Sequence, residues 1–370
     1  MDQKSSSRKL YVGMDVHKES IDIAVAEQEG EVRHHGQISG DMNALGRAVR
    51  KLESLGRELV FVYEAGPCGY GIYRGLTGRG HVCWVVAPSN TPRRVRDRIK
   101  TDRRDSLKLA GLARAGELTP IYVPDVRDEA MRDLVRSRED AVAVQRQARQ
   151  RLAALLLRND VRYAGKTAWT AAHRRWIADL KLPQSAQRLA FEEYVQMVEE
   201  ASARVLRLTQ CIEQELATWR WRPVVAALQA CRGIQLIHAV RIVAELGDLS
   251  RFGHPRQLMG YVGLIPSEDS SGEHRRQGAI TKAGNGSARR ALVEAAWAYQ
   301  YTAKVSTLIA RRQTEVPKAV LDIAWKAQVR LCARFRRLAA RRINRNKIVV
   351  AIARELAGFV WAIARQIKPV

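Results

Sequence analysis

Cysteine is scarce in this chain, with five residues among 370, and the five are scattered along it. They form neither a CxxC pair nor a cluster with histidine at the spacing of zinc ligands. An odd, scattered set also gives no sign of a disulfide framework. The sequence therefore argues against a zinc-finger or disulfide-stabilised scaffold and predicts a reduced, cytosolic setting.

A long uncharged apolar run is also missing. The first ten residues contain no apolar segment of the signal-peptide kind. The most apolar late stretch runs from Ile348 to Ile367, but it carries Arg354, Glu355 and Arg365. This pattern predicts an amphipathic helix and not a membrane span.

Acidic residues are few compared with basic ones. The chain has 38 Asp and Glu against 63 Lys and Arg, which gives a net charge of +25. Such an excess predicts a polyanionic partner, of which nucleic acid is the commonest. A ribosomal or other structural nucleic-acid protein would share this charge. The charge alone therefore indicates the partner and does not indicate an enzyme.

The first third of the sequence alternates between short apolar runs and helical patterns. The predicted order is β-β-β-α-β-α-β-α, which is typical of a mixed sheet with helices on its faces. RNase H-like domains have this order of elements, so the predicted fold is called RNase H-like by analogy. The predicted strands are Leu10–Met14, Ile21–Ala26, Glu31–Ser39, Leu59–Tyr63 and His81–Ala87, and the predicted helices are Met42–Leu55, a short one ending near Thr77, and Thr101–Ala115.

The rest of the chain has mainly helical patterns. After Pro183, apolar residues from Tyr194 to Trp219 recur at steps of three and four. This seam predicts either a helix packed on its own domain or a coiled-coil arm for oligomerisation. The predicted architecture is an α/β RNase H-like domain, a long helical or coiled-coil connector and a mainly α C-terminal domain. The predicted divisions are 1–8 (disordered tail), 9–125, 126–222, 223–315 and 316–370 (basic C-terminal helices).

Four carboxylates stand at the ends of predicted elements. Asp15 ends the first strand and Glu64 ends the fourth, and these strands are neighbours in an RNase H-like sheet. Asp102 and Asp105 lie three residues apart at the start of a helix, on one face. Such a cluster would repel itself without cations, and hard oxygen ligands suit Mg²⁺. Each residue alone has an ordinary explanation as a turn or cap residue, but together they predict a phosphate-cleaving metal site.

Basic residues surround the two aspartates of this helix, and they predict contacts to a nucleic-acid backbone. The set is Arg93, Arg94, Arg96, Arg98, Lys100, Arg103 and Arg104. We interpret the neighbouring His17 as a turn residue, and His34 and His35 as strand residues without partners.

A second group of polar residues lies in the C-terminal half. A helix, a turn at Gly233 and a second helix resemble a helix-hairpin-helix element, although simple packing of two helices also explains them. A predicted Gly- and Ser-rich loop from Pro266 to Gly286 then holds Ser270 and Ser271. A serine ringed by arginines could attack a phosphate, yet such a tripeptide is more often a flexible turn. The surrounding basic residues are Arg275, Arg276, Lys282, Arg289 and Arg290.

The sequence resembles the bacterial insertion-sequence transposases that are named for an Asp-Glu-Asp-Asp tetrad and understood as bridge-RNA-guided recombinases. The resemblance covers roughly Tyr11 to Gln300, with the motifs in the family's order. The matching segments are 13–20, 62–70 and 100–110 around the carboxylates, and 233–234, 244–252, 256–266, 270–272, 280–285 and 288–292 in the C-terminal half.

The resemblance implies a function for each group. The N-terminal domain would be RuvC-like, with Asp15, Glu64, Asp102 and Asp105 as catalytic metal ligands for Mg²⁺, or for Mn²⁺ as a substitute. Ser271 would be the nucleophile and would form a covalent phosphoserine link to DNA. The protein would act in the bacterial cytoplasm, in association with the nucleoid. A structured bridge RNA would pair with donor and target DNA, and dimers would assemble into a tetramer whose composite sites take carboxylates and serine from different protomers.

Alternatives remain open at this stage. Ser270 adjoins Ser271, and Ser287 is a third serine at an expected helix N-cap. A RuvC-like nuclease or junction resolvase would hydrolyse DNA with the metal site alone, and a non-enzymatic binding protein would need no carboxylates. The basic stretch from Arg330 to Lys347 predicts an RNA-binding helix or a solvated face.

Overall fold

The computed structural model of the chain describes residues 9–89, 91–92, 101–268 and 276–370. The predicted disordered tail, residues 1–8, therefore lies outside the described residues. The chain divides into two compact units, Met1–Pro124 and Asp125–Val370. The finer division of the second unit stays a prediction.

The first unit is a five-stranded mixed sheet with the strand order β3-β2-β1-β4-β5. The strands β1, β2 and β3 pair antiparallel, while β4 pairs parallel with both β1 and β5. This confirms the predicted mixed α/β sheet, which is consistent with an RNase H-like fold. The elements are β1 Lys9–Val16, β2 Ser20–Glu27, β3 Arg33–Ser39, α1 Met42–Glu53, β4 Glu58–Glu64, α2 Gly71–Thr77, β5 Val82–Val86 and α3 Asp102–Arg114.

Strict alternation along the strands gives the sheet two different faces. Leu10, Val12 and Met14 of β1 belong to the core that includes residues of α1 and α2. The residues between them point to the opposite face, where Val62 and Val86 pack with apolar residues of α3. The helix α3 therefore covers the face on which every second residue of β1, including Asp15, is found.

The second unit begins with a long antiparallel helical hairpin. Helix α4 (Val126–Arg158) has 33 residues and α6 (Ser185–Leu216) has 32, and α5 (Ala171–Asp179) lies between them in sequence. Arg138 donates to Thr209 and Gln145 donates to Ser202, so partners descend along α6 as positions rise along α4. The apolar seam predicted in α6 is thus buried or half-buried within the chain, against α4.

The remaining helices of this unit enclose one apolar core. Helix α13 is buried along nearly its whole length, because Ile348, Ile352, Leu356, Val360 and Ile363 all face the core. None of the helices in the described residues is long and apolar enough to cross a membrane. The elements are α7 Arg222–Leu228, α8 Leu236–Leu246, α9 Pro255–Tyr261, β6 Pro266–Glu268, β7 Gln277–Ile280, α10 Gly286–Ala296, α11 Thr307–Arg312, α12 Lys318–Ala340 and α13 Arg345–Ala364.

The segment from Pro266 to Gly286 is only partly the loop that the sequence predicts. Its ends form a short antiparallel pair, β6 with β7, in which Pro266 faces Ile280. Ser267 adds a hydrogen bond of 3.1 Å from its Oγ to the Ala279 carbonyl oxygen. The sequence prediction missed this pair because strands of three and four residues are too short to show a clear alternation.

Candidate metal centre

The close approach of α3 to β1 starts from a missing side chain. A Cβ atom on Gly13 would lie 2.3 Å from the Ser106 carbonyl oxygen and 2.4 Å from the Ala110 nitrogen, both in the backbone of α3. Only glycine allows this contact, because real Cβ atoms essentially never approach so closely. Asp15 is two residues beyond Gly13 on the same face, next to the first turn of α3.

Three side chains meet where β1 ends and α3 begins. His17 Nε2 is 3.3 Å from Asp15 Oδ2 and 3.5 Å from Asp102 Oδ1. Ligand atoms of Asp15, His17 and Asp102 all lie within 4.8 Å of one another. The interpretation of His17 as a turn residue was therefore incomplete, since its ring lies between two of the predicted metal ligands.

The first turn of α3 supplies two carboxylates. Thr101 caps the helix by accepting a hydrogen bond from the Arg104 N–H, and Asp102 and Asp105 follow within the first turn. Carboxylates at this end are favoured by the helix dipole. Burial raises the pKa of Asp15, and the charges of Asp105 and Asp102 raise it further, although His17 opposes them. The Asp15 carboxylate is thus held where negative charge accumulates and where a cation would be favoured.

Glu64 lies at the corresponding end of β4. The parallel register pairs Met14 with Tyr63, so Asp15 and Glu64 are the next neighbours along the two strands. Neighbouring strands are about 4.8 Å apart, and residues in register point to the same face. Glu64 is half-buried on the face that α3 covers. Among the described residues, the close group of ligand atoms includes neither Glu64 nor Asp105.

A further carboxylate, which the sequence analysis did not single out, faces Asp15 from β2. Asp22 is directly opposite Asp15 in the antiparallel register and is buried. Its carboxylate accepts a hydrogen bond of 3.0 Å from Gln37 Nε2 and lies 2.7 Å from His34 Nε2. The expectation that His34 has no partner was wrong. An alternating strand offers no sign that two aspartates will face each other, because this depends on the register.

The predicted basic residues of the first unit are described only in part. Arg103 and Arg104 are exposed on the first turn of α3, beside the carboxylates. The remaining members of the set lie outside the described residues: Arg93, Arg94, Arg96, Arg98 and Lys100.

The predicted nucleophile belongs to the segment between β6 and β7. Ser270, Ser271 and Arg275 lie outside the described residues, whereas Arg276 and Lys282 are described and exposed. Two glycines stand just outside this strand pair at positive φ, Gly263 at +64° and Gly284 at +68°. A Cβ on either glycine would clash with backbone, that on Gly284 lying 1.9 Å from the Tyr261 oxygen.

The start of α10 differs from the prediction. Asn285 and not Ser287 is the N-cap, since the Asn285 side chain accepts from the Ala288 N–H at 2.9 Å. Ser287 instead hydrogen-bonds to Glu139 and accepts from Arg241 Nε at 3.0 Å. A serine held in this way by a buried ion pair is a structural residue.

The arginines that follow also differ from each other. Arg289 donates to the carbonyl oxygens of Val262 and Ala283, at 2.9 and 3.0 Å, so its guanidinium fastens the loop to α10. Arg290 is exposed and remains a candidate for a phosphate contact.

At the turn between α7 and α8, a Cβ on Gly233 would lie 2.2 Å from the Ala295 oxygen, so this glycine allows the close packing of the turn against α10.

Comparison with known families places both halves of the chain. Residues 225–311 match the family described as "Transposase IS116/IS110/IS902 family". Residues 12–159 match the family model DEDD_Tnp_IS110, described as "Transposase". The two matches include all four predicted carboxylates and Ser271.

Similar proteins extend this match to nearly the whole chain. The chain is 45% identical to the protein y4qE of Sinorhizobium fredii over 363 residues, which are 98% of this chain and 90% of that protein. It is 31% identical to the transposase for insertion sequence element IS1533 of Leptospira borgpetersenii, over 90% of this chain and 98% of that one. The chain therefore belongs to the IS116/IS110/IS902 family of insertion-sequence transposases.

Proposed function

We propose that this transposase cuts and rejoins DNA through a phosphoserine intermediate, at a composite site of Mg²⁺-binding carboxylates and Ser271. The convergence of Asp15 and Asp102 beside His17 is the observation that carries the metal-binding part of the proposal. Glu64 and Asp105 complete the proposed ligand set. Glu64 is included because the strand register sets it next to Asp15, and Asp105 because its charge raises the pKa of Asp15.

The donor set fits a divalent cation that prefers oxygen. Two carboxylate charges about 4 Å apart repel each other by roughly 4 kcal/mol at an effective dielectric constant of about 20. Asp102 is 46% exposed, so solvent screens part of this cost in the free protein. A bound cation would polarise the phosphodiester and stabilise the charge that develops during cleavage. If the imidazole of His17 also became a ligand, it would favour a transition metal over Mg²⁺, because imidazole suits transition-metal ions and Mg²⁺ prefers oxygen ligands.

Ser271 would perform the covalent step. Its Oγ forms a bond to a phosphorus atom of the DNA backbone, while the bond from that phosphorus to one deoxyribose oxygen breaks. The serine proton ends on the released deoxyribose hydroxyl. The number of phosphoester bonds is unchanged, so a hydroxyl of another strand can reverse the step and rejoin DNA without an energy source.

The basic surfaces suit two nucleic acids. Arg103 and Arg104 would hold DNA phosphates beside the carboxylates, and Arg276, Lys282 and Arg290 would do so beside the serine. We propose that a bridge RNA selects donor and target DNA through base pairing, so that the protein reads backbone and shape.

The exposed basic residues from the last turns of α12 to the first turn of α13 are the proposed RNA contacts in the C-terminal region. Arg330 and Arg334 are less available, because both form ion pairs with Glu355 of α13. The stretch from Arg336 to Lys347 keeps exposed basic residues: Arg336, Arg337, Arg341, Arg342, Arg345 and Lys347.

The test is the formation of a protein–DNA adduct that survives denaturation. Purified protein would be mixed with the element's flanking RNA, Mg²⁺ and end-labelled donor DNA. We expect an adduct with the wild type and with Ser270→Ala, but none with Ser271→Ala or Asp15→Asn. Cleavage without an adduct, unaffected by Ser271→Ala, would instead establish a metal-dependent nuclease that acts by hydrolysis.

The composite site predicts complementation between protomers. Each active centre of the proposed tetramer takes its carboxylates from one protomer and its serine from another. A mixture of the Asp15→Asn and Ser271→Ala variants should therefore restore part of the adduct that neither variant forms alone. If the mixture stays inactive while both variants still assemble, the serine and the carboxylates act within one protomer.

A further inference from the structure

A small cavity lies between α4, α5 and α6, in the half of the α4–α6 hairpin where α4 ends and α6 begins. Its volume is about 270 Å³. Its apolar lining consists of Leu152 of α4, Ile177 of α5, and Val195 and Val198 of α6. Pockets for small ligands usually span about 300–1,000 Å³. The cavity therefore suits one small group and not a run of stacked groups.

One wall of the cavity is the half-buried indole of Trp169. This residue has φ of +64°, a left-handed conformation that is a genuine outlier for a bulky side chain. The buried His173 packs edge-on against the indole at 5.3 Å between ring centroids, and Arg149 lies over it at 4.8 Å. Such strain persists only where the surroundings fix it, and it is concentrated at ligand-binding positions.

The charged lining is mainly positive. Arg149 and Arg174 face the cavity together with a single carboxylate, that of Glu199. Burial lowers the pKa of Arg149, and the nearby charge of Arg174 lowers it further. Arg149 Nε is buried and has no hydrogen-bond partner in the part of the chain that the structure describes. An anion in the cavity would relieve both the repulsion and the unsatisfied donor.

A flat aromatic wall, a stacked guanidinium and a second cation match one ligand chemistry. Unpaired bases stack on tryptophan and on arginine planes, and the adjoining phosphate pairs with arginine. We propose that the cavity at Trp169 receives one unpaired nucleotide of a nucleic-acid strand. This inference rests on the proposed function for its partner, and RNA and DNA strands supply the same chemistry.

Photocrosslinking tests this proposal on the full chain. Single-stranded RNA and DNA probes of equal sequence, each with one 5-iodouracil, would be irradiated with the protein, and crosslinked tryptic peptides would be identified by mass spectrometry. We expect a crosslink in residues 167–174, which hold Trp169, with at least one of the two strands. The same probe annealed to its complement should not give it, because a paired base cannot enter the cavity.

Two adjacent arginines of α5 provide a matched pair of variants. Arg174 lines the cavity, whereas Arg175 does not, and both are exposed. Arg174→Gln should reduce the crosslink about tenfold, which corresponds to about 1.4 kcal/mol. In this variant the crosslink is measured on the peptide 167–175, because the substitution removes the tryptic cleavage site at 174. Arg175→Gln should leave it unchanged, although it removes the same charge.

Several results would overturn the proposal. One is the absence of a crosslink at residues 167–174 while both strands still bind. Another is a crosslink that Arg174→Gln and Arg175→Gln weaken equally, which would indicate general charge attraction. Equal crosslinking of the annealed probe would exclude an unpaired base. The adduct assay with Ser271→Ala does not depend on the cavity. A negative adduct assay would therefore contradict the proposed function, whereas the crosslinking results above would contradict only the binding of a nucleotide in the cavity.

Discussion

Replacing Gly13 with alanine should separate α3 from β1 and so disturb the carboxylate cluster. The new Cβ would lie 2.3 Å from the Ser106 oxygen, whereas ordinary contact begins at 3.4 Å. The obstacle is backbone, which cannot turn aside as a flexible side chain can. Helix α3 must therefore retreat by about 1 Å, as expected when a methyl group is forced into a packed core.

The cost follows from overpacking. Insertion of extra carbon into a filled core typically costs about 1–3 kcal/mol. The retreat also carries Asp102 away from Asp15 and lengthens the 3.5 Å contact between His17 and Asp102. We therefore expect the Gly13→Ala variant to lose both stability of the first unit and affinity for Mn²⁺.

Gly111 of the same helix is the matched control. A Cβ there would meet Val32 Cγ2 at 3.5 Å, an ordinary contact. Alanine is favoured over glycine inside a helix by about 1 kcal/mol. Gly111→Ala should therefore stabilise the same unit that Gly13→Ala destabilises.

Hydrogen exchange measured by mass spectrometry on the full chain separates the two outcomes, because peptides from β1 and α3 report on the first unit alone. We expect faster exchange in these peptides for Gly13→Ala and equal or slower exchange for Gly111→Ala. Unchanged exchange in the Gly13→Ala variant would refute the argument that this glycine sets the distance between strand and helix.

Three further predictions concern charge and backbone. Because the pKa of Asp15 is raised, its ionisation destabilises the metal-free fold as pH rises through that pKa. The Asp15→Asn variant should therefore have a higher Tm than the wild type in chelator and a smaller rise in Tm when Mg²⁺ is added. A rise in Tm with Mg²⁺ equal to that of the wild type would contradict a metal-binding role for Asp15. Burial alone would raise the pKa of Glu245, but hydrogen bonds from Arg136 and Asn285 lower it below its ordinary value. Its stabilisation is thus present above the ordinary pKa and disappears as pH falls through the lowered one. Because Arg136 is half-exposed and stays solvated without its partner, Glu245→Gln should cost about 1.5–3 kcal/mol at neutral pH in urea unfolding, with a smaller difference in acid. Gly284→Ala should cost about 1–3 kcal/mol through its positive φ and its clash with backbone, and normal adduct yield with normal exchange in residues 276–285 would contradict this.

The sheet of the first unit could be predicted because its signal is local. Alternation in β2 places Ile21 and Ile23 on one face and Asp22 and Ala24 on the other, and burial on both faces keeps the pattern readable. The third strand begins at Arg33 and not at Glu31, because the chain still turns through Gly30 at φ of +92°.

The candidate site could be predicted only where strand ends or helix starts mark it. Asp15, Glu64 and Asp102 stand at such ends, so their types and positions were informative. His17 and Asp22 were missed because their roles depend on register and on the approach of α3, which no spacing in the sequence encodes.

The N-cap of α10 shows how similar residues compete for one role. Asn285 and Ser287 are both good N-cap types, two residues apart. Glu139 and Arg241, distant in sequence, bind Ser287 and leave the cap to Asn285. Local propensity cannot resolve such a choice, because the competing partners belong to other helices.

The most direct test of the phosphoserine mechanism is the identity of the residue that carries DNA. The denatured adduct would be digested with trypsin and nuclease, and the modified peptide would be sequenced by mass spectrometry. The proposal predicts a nucleotide phosphate on Ser271, within the peptide 257–275. A nucleotide on Ser267, Ser270 or Ser287, or on no residue of the protein although the DNA is cut, would contradict it.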